Sequence, residues 1–198
     1  TVMNHQLIHH REEFYQALGI ATGSAPGVFL ANIYLNCMDI LLLDQIGTKV
    51  QYYKRFVDDS IIFCTCPTTD IQRIQNSFHG NIKWEITDTT ETTSSVVFLD
   101  LALSIKRETR EINWRTHWKE LNSYLYVPRS SAHPTGVFAA LILGETKRLF
   151  RTNKSKATLL QCIDHFRKKL HLRGYSYDEI DYWINKSLKG QSCKTKNQ

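Results

Sequence analysis

The stretch best equipped for chemistry is Phe56-Val57-Asp58-Asp59, where two carboxylates stand side by side. Adjacent carboxylates repel each other unless a divalent cation lies between them, and hard oxygen donors suit Mg²⁺ or Mn²⁺. Asp58 and Asp59 are therefore candidate catalytic and metal-ligating residues. A second reading of these four residues stays open. Asp is common in turns because its side chain bonds nearby backbone and tolerates left-handed conformations. On either side, Val50–Phe56 and Ser60–Cys64 are rich in β-branched and aromatic residues. Both predict strands, which puts the acids at the tip of a tight hairpin.

Other elements must hold that hairpin. Val28–Ile46 reads as a helix stopped by Gly47, with apolar residues nearly all round, as in a buried helix. Asn32 and Asp39 are seven residues apart on about one face of it, and are expected to meet the sheet edge. After the hairpin, Pro67–Asp70 offers helix caps, and Ile71, Ile74 and Phe78 follow at helical spacing. Ile82–Thr87 alternates as a strand. Thr87–Ser95 is a polar loop. Val96–Lys106 and Ile112–Trp118 predict two further strands, with Asp100 inside the first in a structural role. Tyr124–Pro128 is extended. Three basic helices then follow, over Thr135–Arg151, Ser155–Arg173 and from Ser176 to about Leu188, the last opened by the capping box Ser176–Glu179. The fold class expected is α+β, an antiparallel sheet with helices on one face followed by a helical region.

Composition sets limits. The chain has 198 residues and a net charge of +6. Residues 1–105 carry six Lys or Arg against 11 Asp or Glu, whereas residues 106–198 carry 19 against eight. An acidic half joined to a basic half predicts a catalytic part and a polyanion-binding part. No run of eighteen apolar residues exists, so no membrane span is expected. The five cysteines include no Cys-x-x-Cys pair, which argues against a zinc site or disulfide framework and for a reducing interior. Thr1–Phe14 is polar with no clear period. Gln16–Gly27 is rich in Gly, which lets a ligand approach the backbone closely.

Several of these stretches carry a family likeness. Arg55–Ser60 resembles the aromatic-x-Asp-Asp hairpin of reverse transcriptases. Gly19–Gly27 with Leu30-Ala31-Asn32-Ile33-Tyr34-Leu35 resembles the Gly-Ser loop and helix that precede it. Val97-Phe98-Leu99-Asp100-Leu101 is similar to the strand that follows the palm. The hairpin around Arg107–Glu111 resembles the primer-grip region. Tyr124-Leu125 and Ser130-Ser131-Ala132-His133-Pro134 resemble the start of the thumb in Penelope-like and non-LTR retroelement enzymes. The motifs stand in family order. Two positions depart from the usual pattern: Thr22 replaces Gln or Met, and Gly27-Val28 replaces Ser-Pro.

The resemblance implies a C-terminal palm over 1–120, a helical thumb over 121–189 and a disordered basic tail over 190–198. It implies an RNA-directed DNA polymerase of a retrotransposon, using Mg²⁺ or Mn²⁺, an RNA template, a DNA primer and deoxynucleoside triphosphates, in an intracellular, nuclear setting without a membrane partner. Asp58 would be the main metal ligand, supported by Asp59. Gln16, Gly23, Ser24 and Phe56 would lie against nucleotide and template, and His133, Lys147, Arg148 and Arg151 along the nucleic-acid backbone. The fingers and the first catalytic Asp of the family are not found here. The chain is therefore expected to need an upstream fingers and palm segment of the same protein and to be inactive alone. The alternative is a remnant or co-opted domain that binds nucleic acid without catalysis.

Overall fold

Helices and strands form where apolar spacing and end signals agree. A computed structural model describes residues 7–10, 12–15, 25–78, 82–88, 95–106, 108–109, 111–121 and 123–192. It is mixed α+β, and contacts divide it into two units, Thr1–Thr87 and Asp88–Gln198. Among the described residues the strands form two two-stranded hairpins and one three-stranded sheet, all antiparallel.

In the first unit, β1 (Leu7–His10) pairs with β2 (Glu12–Tyr15), so the supposed patternless start contains a short hairpin. Helix α1 (Gly27–Ile46) ends at Gly47, whose φ of 61° is open to glycine at little cost. A 3₁₀ turn (Gly47–Lys49) leads into β3 (Val50–Phe56), which pairs with β4 (Asp59–Cys64). Helix α2 (Thr68–Asn76) follows. Leu42 and Ile46 of α1 pack on Ile71 and Ile74 of α2, with Val50, Tyr53, Ile62 and Ile86 closing the cluster.

Two expectations fail in this unit. Residues 82–87 are not a strand: alternation describes side chains, but a strand also needs a neighbour for its backbone, and none pairs there. Ile86 joins the core without one. Nor is α1 buried all round. Met38, Leu42 and Ile46 are covered, while Phe29, Ile33 and Ile40 on the other side are at least half exposed. Among the described residues, α1 with its 3₁₀ turn is the one helix long and apolar enough, by length and composition alone, to cross a membrane.

In the second unit, β5 (Val96–Phe98), β6 (Leu101–Lys106) and β7 (Glu111–Thr116) form a sheet in that order. The single strand expected over Val96–Lys106 is broken at Leu99-Asp100. There a two-residue turn with Leu99 at φ 55° folds β6 back on β5. Helices α3 (Thr135–Arg151), α4 (Lys156–His171) and α5 (Tyr177–Ser192) bury Phe138, Ile142, Leu149, Phe166, Leu170 and Ile180 between them. Ser155 caps α4 by accepting from the Ala157 amide at 3.2 Å. Ser176 accepts from the Glu179 amide at 3.2 Å. The Glu179 carboxylate does not close the capping box. It accepts from Arg129 Nε at 3.1 Å instead.

A buried amide helps to join sheet and helices. Asn153 Nδ2 donates to Thr116 Oγ1 at 2.7 Å and to the Leu149 carbonyl at 2.8 Å, and its Oδ1 accepts from the Thr116 amide at 3.2 Å. The chain therefore divides after Thr87, with the three-stranded sheet in the same unit as the helices. Helix α5 continues through Ser192, so residues 190–192 of the expected tail are helical. Residues 193–198 lie outside the described residues.

Phe166 is fully buried, so Phe166→Ala should cost about 3–5 kcal/mol in urea unfolding of the second unit. Asn153→Ala should cost about 2 kcal/mol, because it strands the buried Thr116 amide, while the Thr116 hydroxyl keeps its bond to Thr152. Parent-like stability of the first variant would contradict the burial of Phe166 in the helical core, and of the second would show that Asn153 does not join sheet to helices.

Candidate active site

Strands β3 and β4 are in register up to Phe56 opposite Asp59, leaving Val57 and Asp58 as the whole connection. Two-residue hairpin turns need positive φ and usually place Gly there. Here Val57 takes φ 56°. A β-branched residue is strained in that region, by about 1–3 kcal/mol, and persists only where its surroundings hold it.

The surroundings are a polar network on α1. Arg55 Nη1 donates to the Val57 carbonyl at 2.8 Å and to Asn32 Oδ1 at 2.8 Å. Its Nε donates to Asp39 Oδ2 at 2.7 Å, and Nη2 reaches the Asn32 carbonyl at 3.4 Å. The Tyr53 hydroxyl donates to the other Asp39 oxygen at 2.5 Å. The Arg55 and Asp39 side chains are only 10% and 13% exposed. Burial pushes the Tyr53 phenol well above its ordinary value of 10.0, and the accepting Asp39 carboxylate adds to the rise. Asn32 and Asp39 thus share one face of α1, as their spacing predicts, but they meet the Tyr53 and Arg55 side chains on a face of the hairpin rather than its edge.

Alternation sorts the hairpin's side chains onto two faces. Tyr53 and Arg55 turn to α1. Tyr52, Phe56 and Asp59 are exposed, and Tyr52 meets Phe63 edge-on with centroids 5.7 Å apart. Asp58 at the tip is exposed as well. Among the described residues, neither Asp58 nor Asp59 has a cationic partner. Two unpaired carboxylates offer hard oxygen donors of the kind Mg²⁺ accepts, and that ion commonly takes one or two protein carboxylates and keeps several waters. The donor set fits. No group of three or more His, Cys, Asp or Glu that could hold a metal occurs among the described residues. Gln16, Gly23 and Ser24 lie outside the described residues.

The basic residues expected along a nucleic-acid backbone are in the second unit. Lys147 and Arg151 are exposed on α3 with no acidic partner among the described residues. Arg148 is engaged. It donates to both Glu145 oxygens, at 2.7 and 2.9 Å, and to Asp100 Oδ2 at 2.5 Å. Asp100 therefore plays a structural part, though from the turn between β5 and β6 rather than from within a strand. His133 is exposed and shares a 2.7 Å hydrogen bond with the Ser131 hydroxyl. No sequence motif includes Arg115, which is exposed on β7 with no acidic partner among the described residues. It lines an open pocket of about 220 Å³ with Trp118, Thr158, Gln161 and His165. Burial, then the nearby Lys169 charge, lowers the His165 pKa. Only the alternation of β7 could have signalled Arg115, since Thr158, Gln161 and His165 of its pocket lie 43 to 50 residues away on α4.

Compared with protein-family models, curated proteins and solved structures, the chain matches none.

The network fixes two outcomes. Asp39→Ala leaves the Arg55 charge nearly buried and unpaired, so it should cost about 3 kcal/mol in urea unfolding of the first unit. A cost near zero would mean that solvent replaces Asp39. Tyr53 stays protonated in the fold while an unfolded chain ionises near 10.0, so its contribution is complete below that pH and declines above it. Tyr53→Phe should flatten part of the alkaline fall in a stability–pH profile. An unchanged profile would contradict its burial.

Proposed function

We propose that this chain is part of an RNA-directed DNA polymerase, contributing the acid turn of the palm and a basic duplex-holding region. The observation that carries the reading is the exposed Asp58-Asp59 pair, without a cationic partner among the described residues, on a strained turn held by Arg55. Ordinary hairpin turns avoid valine at positive φ, and backbone strain of this kind concentrates at functional sites. The family order of the flanking motifs supports the same reading.

In this account Asp58 is the main ligand of a divalent ion, Mg²⁺ or Mn²⁺, and Asp59 supports it. Bound there, such an ion would supply charge stabilisation for a nucleotidyl transfer. The chain's own residues bind and orient. Asp58 and Asp59 present their oxygens at a fixed tip. Phe56, opposite Asp59, offers an exposed ring beside them. Lys147, Arg151 and Arg115, without acidic partners among the described residues, present positive charge for phosphates, while Arg148 holds Asp100 and Glu145 in place. The finer architecture of palm and thumb, the RNA template, DNA primer and deoxynucleoside triphosphates, and the retroelement setting belong to this proposal.

One observation favours a second reading, nucleic-acid binding without catalysis. The turn offers two carboxylates, and no third metal-ligating group joins them among the described residues. A protein spanning this chain and its upstream residues separates the two. Mg²⁺-dependent primer extension on an RNA template supports the polymerase, and duplex binding without incorporation supports the second.

Both readings predict salt-sensitive duplex binding. With about four phosphate contacts, affinity should fall about a hundredfold between 50 and 200 mM salt. Lys147→Ala and Arg151→Ala should each reduce the slope of log affinity against log salt by about one. Salt-independent binding would remove the nucleic-acid role.

A further inference from the structure

Arg55 does more than join two elements. Its guanidinium has five N–H donors, and four are aimed at named acceptors on α1 and on the turn. The bond to Val57 is unlike the others. It grips the carbonyl of the strained residue immediately before Asp58, and so sets the direction in which the chain leaves towards both carboxylates. The same guanidinium carries a full positive charge three residues before Asp58. Unpaired, that charge would compete with any cation for Asp58 and Asp59. Asp39 accepts from its Nε in a nearly buried pair, and Asn32 takes two more of its donors. Tyr53 and Asn32, which also hydrogen-bond to this pair, are both neutral.

We propose that Arg55 is the positioning residue of the acid turn, and that Asp39 neutralises it so that its charge does not compete with a divalent cation for Asp58 and Asp59. This rests on the reading of Asp58-Asp59 as a cation site. The arrangement separates geometry from charge. Arg55 provides the rigid fork that fixes the turn, and Asp39 cancels the charge that the fork brings with it. A Lys could not replace Arg55, because one point donor cannot bond Asp39, Asn32 and the Val57 carbonyl together.

The test uses the isotope-labelled chain and two readouts. One is amide hydrogen exchange at residues 57–60. The other is the Mn²⁺ concentration that half-broadens those amides. Arg55→Lys should raise exchange at the turn about tenfold while leaving α2 unchanged, since one hydrogen bond to the turn is lost. Unchanged exchange there overturns the positioning role. Asp39→Asn should weaken Mn²⁺ binding about fivefold, by leaving one positive charge uncompensated near the turn. The double variant Asp39→Asn with Arg55→Gln has a neutral pair again and should recover to within about twofold of the parent. A purely structural role would leave the double variant no better than Asp39→Asn, and that result overturns the charge-partner role. If the parent chain shows no Mn²⁺ effect at residues 57–60, the cation reading itself fails, the charge-partner role falls with it, and the exchange result alone decides the positioning role.

Discussion

The ion pair between Arg55 and Asp39 is the contact on which the candidate site depends. Desolvating two charges is costly, and a nearly buried pair is retained only where further hydrogen bonds satisfy its remaining groups. Here Tyr53 and Asn32 supply them. The pair lies between helix α1 and strand β3, so it locks the hairpin's register on the helix. From that lock follows the strained turn, because the same guanidinium reaches the Val57 carbonyl. Without the pair, only the apolar contacts of Val50, Tyr53 and Ile62 would hold the two-stranded hairpin, which is marginal by itself in water.

A comparison inside the molecule shows what the surroundings decide. The second unit has a turn built alike: Phe98, then Leu99 at φ 55°, then Asp100, as in Phe56, Val57 at φ 56° and Asp58. The local chain is nearly the same, and the outcomes differ. Asp100 is held by Arg148, itself held by Glu145, and joins the sheet to α3. Asp58 meets no cation among the described residues. One acid is used up in structure, while the other is left with its charge exposed. Much of the positive charge in the second unit is likewise spent. Arg129 is on Glu179, Arg167 on Asp181 and Lys154 on Glu111. The net charge of the basic half therefore overstates what it can offer a polyanion, and a few unpaired residues such as Lys147, Arg151 and Arg115 carry that capacity.

Much of this was legible in the residue pattern. The helices of the second unit end within a few residues of their predicted bounds, because Ser155, Ser176 and Gly174 are strong local signals and the apolar spacing is regular. The Asp-Asp hairpin was legible for the same reason. Long-range pairing was not. Residues 82–87 alternate like a strand, yet pattern alone cannot supply a neighbouring strand. The Leu99-Asp100 turn was missed because no Gly or Pro marks it, although its likeness to Val57-Asp58 was there to be seen. Arg55 illustrates the same limit. Its importance comes from Asn32 and Asp39, 23 and 16 residues away, and only the fold brings them together.

The central claim is that Asp58 serves catalysis rather than folding. The most direct measurement replaces Asp58 by Asn in a protein that contains this chain with its upstream residues. Primer extension on an RNA template and duplex affinity are then read side by side. Loss of extension with duplex affinity unchanged is the result this account predicts. Extension retained at the parent rate would contradict it, and would return the acid pair to the status of an ordinary turn.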